Sequence, residues 1–225
     1  MYSESSRERD LEHAGGFPRS ITAPSILGLY AFAIATFIVG TNMAGWYGAG
    51  EAAYVIPFVA AVSGLAQLLA GVWTFRGRDP LATAFHGTWG AFWIGYGLLF
   101  FFFAAKTLPM QAPGYYVPMG YWFAALAVIT CTLGIAAIAQ NIAFAFTLFV
   151  LCAGAALSAV GYFSGYTEVM KVGGWGLLLS ALCAWYTSSG MLFQSVLGHD
   201  LLPLGKRSAH SLESGTGEPA PIRSQ

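Results

Sequence analysis

The sequence predicts an all-α fold, a polytopic membrane protein built as a six-transmembrane-helix bundle, and three observations carry the prediction. Charge is scarce: Asp, Glu, Lys and Arg make up 9% of the 225 residues, where a soluble domain usually needs about a quarter. Apolar residues make up 56% of the chain, which excludes disorder for most of it. The charges are also segregated. Between Arg19 and His199 the only Asp, Glu, Lys or Arg are Glu51, Arg76, Arg78, Asp79, Lys106, Glu168 and Lys171. They bracket apolar stretches of about 20 residues, the length a helix needs to cross the hydrocarbon core. Sustained period-two alternation is absent, which disfavours a transmembrane barrel and leaves helices to satisfy the backbone in lipid.

The first span, 24–46, opens on Pro24, which is tolerated in the first turn because its missing N–H has no helical partner to lose. Thr36, Thr41 and Asn42 follow, and Trp46 and Tyr47 mark its far boundary. The second span, 54–75, carries Ser63 and Gln67, with Ala60 and Gly64 spaced four apart. The third, 84–104, holds His86, Thr88 and Trp89, with Ala91 and Gly95 as a second small pair. The fourth is 118–139. The fifth, 143–163, has Gly154 and Ser158 as a third pair, and the sixth is 173–197. Small residues four apart let helices approach closely, so the bundle is expected to be compact. Trp73, Tyr115, Tyr116 and Trp175 join Trp46 and Tyr47 as aromatics near span ends, where interfacial anchors sit.

Six spans put both tails on one side of the bilayer. That side collects Arg7, Arg9, Arg19, Arg76, Arg78, Lys206, Arg207 and Arg223, against Lys106 and Lys171 opposite, so both termini are expected in the cytoplasm. The segment before Arg19 has neither the apolar core nor the cleavage site of a secretory signal. Residues 1–22 and 206–225, rich in Ser, Glu, Arg and Gly, are expected to be flexible extensions of a transmembrane domain over 23–205.

No phosphate-binding loop, dinucleotide fingerprint, zinc-protease helix or nucleophile elbow is present, and no span holds a pair of carboxylates. Cys131, Cys152 and Cys183 fall in three different spans without metal or redox spacing. Neither an enzyme nor a cofactor is therefore expected. A formal net charge of zero offers nucleic acid no field. The spans do offer neutral hydrogen-bonding groups: Thr36, Thr41, Asn42, Ser63, Gln67, Thr88, Ser158, Tyr186 and Ser188 are candidates to line a route between helices. Gln67 reads equally as an interhelical hydrogen bond or as part of that route. Asn42 is as well suited to binding backbone. His86, close in sequence to Arg78 and Asp79, is expected to be interfacial and solvated. The free amide donors after Pro24 form an anion site, or simply the start of a helix.

Several runs resemble the acetate uptake transporter family, which includes bacterial succinate–acetate permeases. Its opening motif, close to Asn-Pro-Ala-Pro-Leu-Gly-Leu, is matched by Ala23-Pro24-Ser25-Ile26-Leu27-Gly28-Leu29, without the asparagine and second proline. Closer matches are Gly64-Leu65-Ala66-Gln67-Leu68-Leu69-Ala70-Gly71 and Thr83-Ala84-Phe85-His86-Gly87-Thr88-Trp89-Gly90-Ala91-Phe92-Trp93, where the family usually has tyrosine at Trp89. The ending Leu201-Leu202-Pro203-Leu204-Gly205 also fits, so the resemblance runs over roughly 22–205.

The resemblance implies a six-helix protomer in the plasma membrane, assembled as a hexamer with a separate pathway through each subunit for acetate, succinate or other short carboxylates. It places an apolar constriction at Phe32, Trp89 and Leu151. It adds Leu27 and Gly28 to Pro24, Thr36, Asn42, Gln67 and Thr88 as substrate-binding candidates. Met191 stands where some relatives carry a glutamate, which argues against a proton-coupling carboxylate on the last helix. Two other readings stay open: a passive channel for anions or small solutes, and a non-transporting membrane scaffold whose tails bind partners.

Overall fold

The computed structural model describes residues 23–109 and 113–206; the expectations for the two tails lie outside the described residues, as do those for the Tyr115 and Tyr116 side chains. The elements are α1 (Pro24–Met43), α2 (Ala49–Phe58), a π-helical segment (Val59–Gly64), α3 (Leu65–Arg76), α4 (Pro80–Ala104), α5 (Pro113–Ala137), α6 (Ile142–Ser164) and α7 (Thr167–Leu197). Among the described residues six helices are long and apolar enough to span a membrane, with α2, the π segment and α3 forming one continuous second span, Gly50–Arg76. The protein is a multi-pass helical membrane protein.

Several helices begin earlier than hydropathy predicts, because polar residues extend the ends. α4 starts at Pro80 rather than 84, behind an Asp79 carboxylate that accepts the Ala82 amide proton at 3.0 Å. The N-cap of α6 is Asn141, whose side-chain oxygen accepts from the Phe144 amide at 2.7 Å. α7 gains a first turn carrying the Glu168–Lys171 ion pair. Within the second span Pro57 supplies no amide proton, and the helix slips into π register immediately after it. Asp79→Ala removes the α4 cap and should cost about 1 kcal/mol, read as a lower thermal midpoint of the purified protein.

Glycines set the close approaches. A Cβ on Gly71 would lie 2.9 Å from the Gly87 nitrogen, and one on Gly90 would lie 2.7 Å from the Leu68 nitrogen, locking α3 to α4. Ala60 and Gly64 meet Gly97 and Ile94 of α4. Gly154 and Ser158 meet Leu177 and Gly173 of α7, and a Cβ on Gly174 would collide with the Ala44 backbone at the end of α1. Two of the three small-residue pairs therefore serve packing within the bundle. The third, Ala91 and Gly95, does not: Gly95 faces open space, and both line an apolar groove of about 400 Å³ between α4 and α5, two neighbouring helices that touch only sparingly.

The closing segment folds back across the start of α6. The Ile142 and Ala143 amides donate to the carbonyls of Gly205 and Leu204, each at 3.1 Å, and the Tyr186 hydroxyl donates to Pro203 O at 2.9 Å. Leu204 is buried against Gly190 of α7.

Candidate functional site

An aromatic cluster occupies the middle of the bundle. Phe32 of α1 packs on Phe85 and Trp89 of α4, with ring centroids 5.1 and 5.7 Å apart and the Trp89 contact edge-on. Phe85 continues onto Phe144 of α6 at 5.4 Å, and Trp89 onto Phe92 and Trp93. The Trp89 indole N–H donates to the Thr130 hydroxyl of α5 at 3.1 Å. The structure thus brings two of the three expected constriction residues into ring contact. Leu151 is fully buried in the same contiguous core. Thr130, which orients the indole, is missing from the sequence inventory; a hydroxyl in the middle of the fourth span was the available signal.

α1 and α4 run in the same direction past this cluster, since Gly28 adjoins His86 and Phe32 adjoins Phe85 and Trp89. The second span runs opposite, with Gly71 beside Gly87, Leu68 beside Gly90 and Gly64 beside Ile94. These registers order the buried polar side chains by height, a file along the bundle axis. His86 comes first, then Gln67 near the level of Trp89, then Ser63, Thr36 and Trp93 beyond. At 1.5 Å per helical residue, His86 to Trp93 covers about 10 Å. Thr36, Ser63, Gln67, His86 and Trp93 are each fully buried. Among the described residues, the Thr36 and Ser63 hydroxyls, both amide atoms of Gln67, both ring nitrogens of His86 and the Trp93 indole nitrogen have no hydrogen-bond partner. Buried polar groups are normally satisfied, and each exception asks for a reason. Where interhelical hydrogen bonding was one reading of Gln67, the carboxamide makes no such bond here.

His86 corrects an expectation: it is interior, not solvated. Because α4 starts at Pro80, His86 lies in its second turn, and the approach of α1 at Gly28 covers the ring. A Cβ on Gly28 would collide with the imidazole.

The other candidates lie elsewhere. Pro24 is half-buried at the start of α1, Leu27 is exposed, and Gly28 is buried against His86. Thr88 lines the outer groove between α4 and α5. Asn42 donates to Tyr47 O at 3.3 Å, closing the turn after α1, and Thr41 donates to Ile38 O of its own helix at 2.8 Å. Burial raises the phenol pKa of Tyr47 in that turn, against a smaller lowering by its bond to Thr41. Ser158 and Ser188 bond to backbone carbonyls of their own helices.

Comparison with known proteins places this architecture. The fold matches the solved structure of the bacterial acetate channel SatP with a TM-score of 0.72 at 21% identity, covering 83% of this chain and all of that one. Acetate permease A of Emericella nidulans is 26% identical over 211 residues, covering 88% of this chain and 70% of the relative. Ammonia transport outward protein 2 of Saccharomyces cerevisiae is 26% identical over 167 residues, covering 73% of this chain; the match spans only 59% of that relative's length. The GPR1/FUN34/yaaH family matches residues 12–197, most of the sequence, and bears out the resemblance carried by the second- and third-span motifs. The chain belongs to the GPR1/FUN34/yaaH family.

Proposed function

We propose that the protein is a permease that conducts acetate, and with it succinate and other short carboxylates, along a pathway inside each protomer. The observation that carries this reading is the file of buried, unpartnered polar groups at levels above and below the Phe32–Trp89 contact. In lipid such groups are retained at a cost of about 1–3 kcal/mol each unless something that passes satisfies them. Uncharged donors suit an anion in transit, because conduction needs binding weak enough to release. Among the described residues the Lys and Arg side chains stand at helix ends or in the loops and terminal strap, none along this file. Phe32 and Trp89 meet edge to face, so passage requires one ring to swing aside. The apolar ring then strips hydrated ions and admits small, partly dehydrated anions. Leu151 completes the ring from α6. Transport, rather than catalysis, is the activity; the protein works in the plasma membrane as a hexamer with both termini cytoplasmic, as the Lys and Arg distribution favours.

Export of ammonia is the second reading. The yeast relative's name favours it, as does the neutrality of the file, which suits an uncharged solute. Proteoliposomes separate the two. Labelled acetate should enter saturably above protein-free vesicles and be competed by propionate and succinate. Acetate flux no greater than in empty vesicles would overturn the carboxylate reading, and ammonia flux alone would replace it with the second.

A further inference from the structure

Resting on the carboxylate reading, we propose that His86 is a substrate-binding residue: its neutral imidazole donates a ring N–H to a carboxylate oxygen of the anion, at the end of the pathway where α1 begins. A neutral imidazole always carries one N–H donor, whichever tautomer is present. A histidine kept for structure fixes its tautomer through a hydrogen bond. Here both ring nitrogens are buried without a partner among the described residues, and the residue has 0% of its surface exposed. An apolar side chain would fill the same space without that penalty.

The surroundings are built around the ring. Gly28 is the position where any side chain would strike the imidazole, so the glycine of the opening motif makes room for it. Gly28 lies four residues into α1, about 6 Å from the helix start at 1.5 Å per residue. That start has no side-chain cap, Ala23 standing at the N-cap of a 20-residue helix. The positive end of the α1 dipole favours a negative charge on that side of the ring. Gln67, at the next level of the file, receives the anion as it leaves His86.

The test uses the full chain in proteoliposomes and lipid nanodiscs. His86→Phe removes the donor and should raise the KM for labelled acetate about tenfold or more, the loss of one hydrogen bond to a charged group. His86→Gln keeps a donor and should stay much nearer wild type, a rescue that a merely space-filling role would not give. On wild-type protein with 15N-labelled histidine, the imidazole signal that His86→Gln abolishes should shift saturably with acetate and not with chloride. This measurement and the glutamine variant decide the matter even where His86→Phe fails to fold. An unchanged KM in His86→Phe, or an imidazole signal indifferent to acetate while wild type transports it, overturns the role of His86 alone. Wild type without acetate flux overturns the carboxylate reading and this assignment together.

Discussion

Trp89→Ala is expected to turn a size-selective pathway into a permissive one. The indole is fully buried, meets Phe32 edge-on and is held by Thr130. Its removal takes away one wall of the proposed constriction and leaves the Thr130 hydroxyl without its donor. One extra methylene against a fitted apolar wall is worth about 1–3 kcal/mol, so the ratio of butyrate to acetate flux should rise about tenfold or more. The cavity should also lower stability by about 3–5 kcal/mol where the site fails to collapse, so flux is normalised to folded protein measured by size-exclusion. Trp89→Phe separates the contributions: it keeps an aromatic wall while losing the bond to Thr130, and should remain selective. Leu151→Ala should loosen selection in the same sense. A butyrate-to-acetate ratio unchanged in both alanine variants would remove the constriction from this part of the bundle.

Gly90→Val should separate α3 from α4 and lower the thermal midpoint sharply. A Cβ at this position would lie 2.7 Å from the Leu68 nitrogen and 3.1 Å from its Cα, and neither backbone atom can swing away. Overpacking of this kind costs about 1–3 kcal/mol, and more where backbone must move. Because Gln67 rides on the displaced segment, transport should fall along with stability. Gly95→Val is the matched control: it lies about one and a half turns further along the same helix and faces open space, so its midpoint should stay near wild type. Equal losses in the two variants would mean that helix propensity, not the α3–α4 contact, governs the effect. Tryptophan fluorescence during thermal denaturation in detergent reads both.

Much of the fold was legible because crossing a membrane is a local property. A run of about 20 apolar residues between charged punctuation is a helix whatever surrounds it, since lipid leaves the backbone no other partner. The helix ends were read less well. Asp79–Pro80 and Glu168 extend helices beyond the apolar run through capping and ion pairing, which hydropathy does not register. Within the candidate site, Phe32 and Trp89 were named through the family resemblance and do meet. The polar inventory named Thr36, Ser63 and Gln67 but did not separate them from Asn42, Ser158 or Ser188, which spend their hydrogen bonds on nearby backbone.

By itself the sequence determined the membrane, the number of spans and the family, because these follow from composition along the chain and from short contiguous motifs. Tertiary structure decided which sides of the helices face inward. Helices that are apolar all round carry no hydrophobic stripe to distinguish a lumen from a lipid surface. Ala91 and Gly95 share the spacing of Gly154 and Ser158 yet face outward, and His86, near a charged loop in sequence, ends wholly buried. Both outcomes depend on where a second helix passes: α1 at Gly28 covers His86, whereas α5 stands off from Gly95. No local pattern encodes that choice, because it is made by the packing of residues distant in the chain.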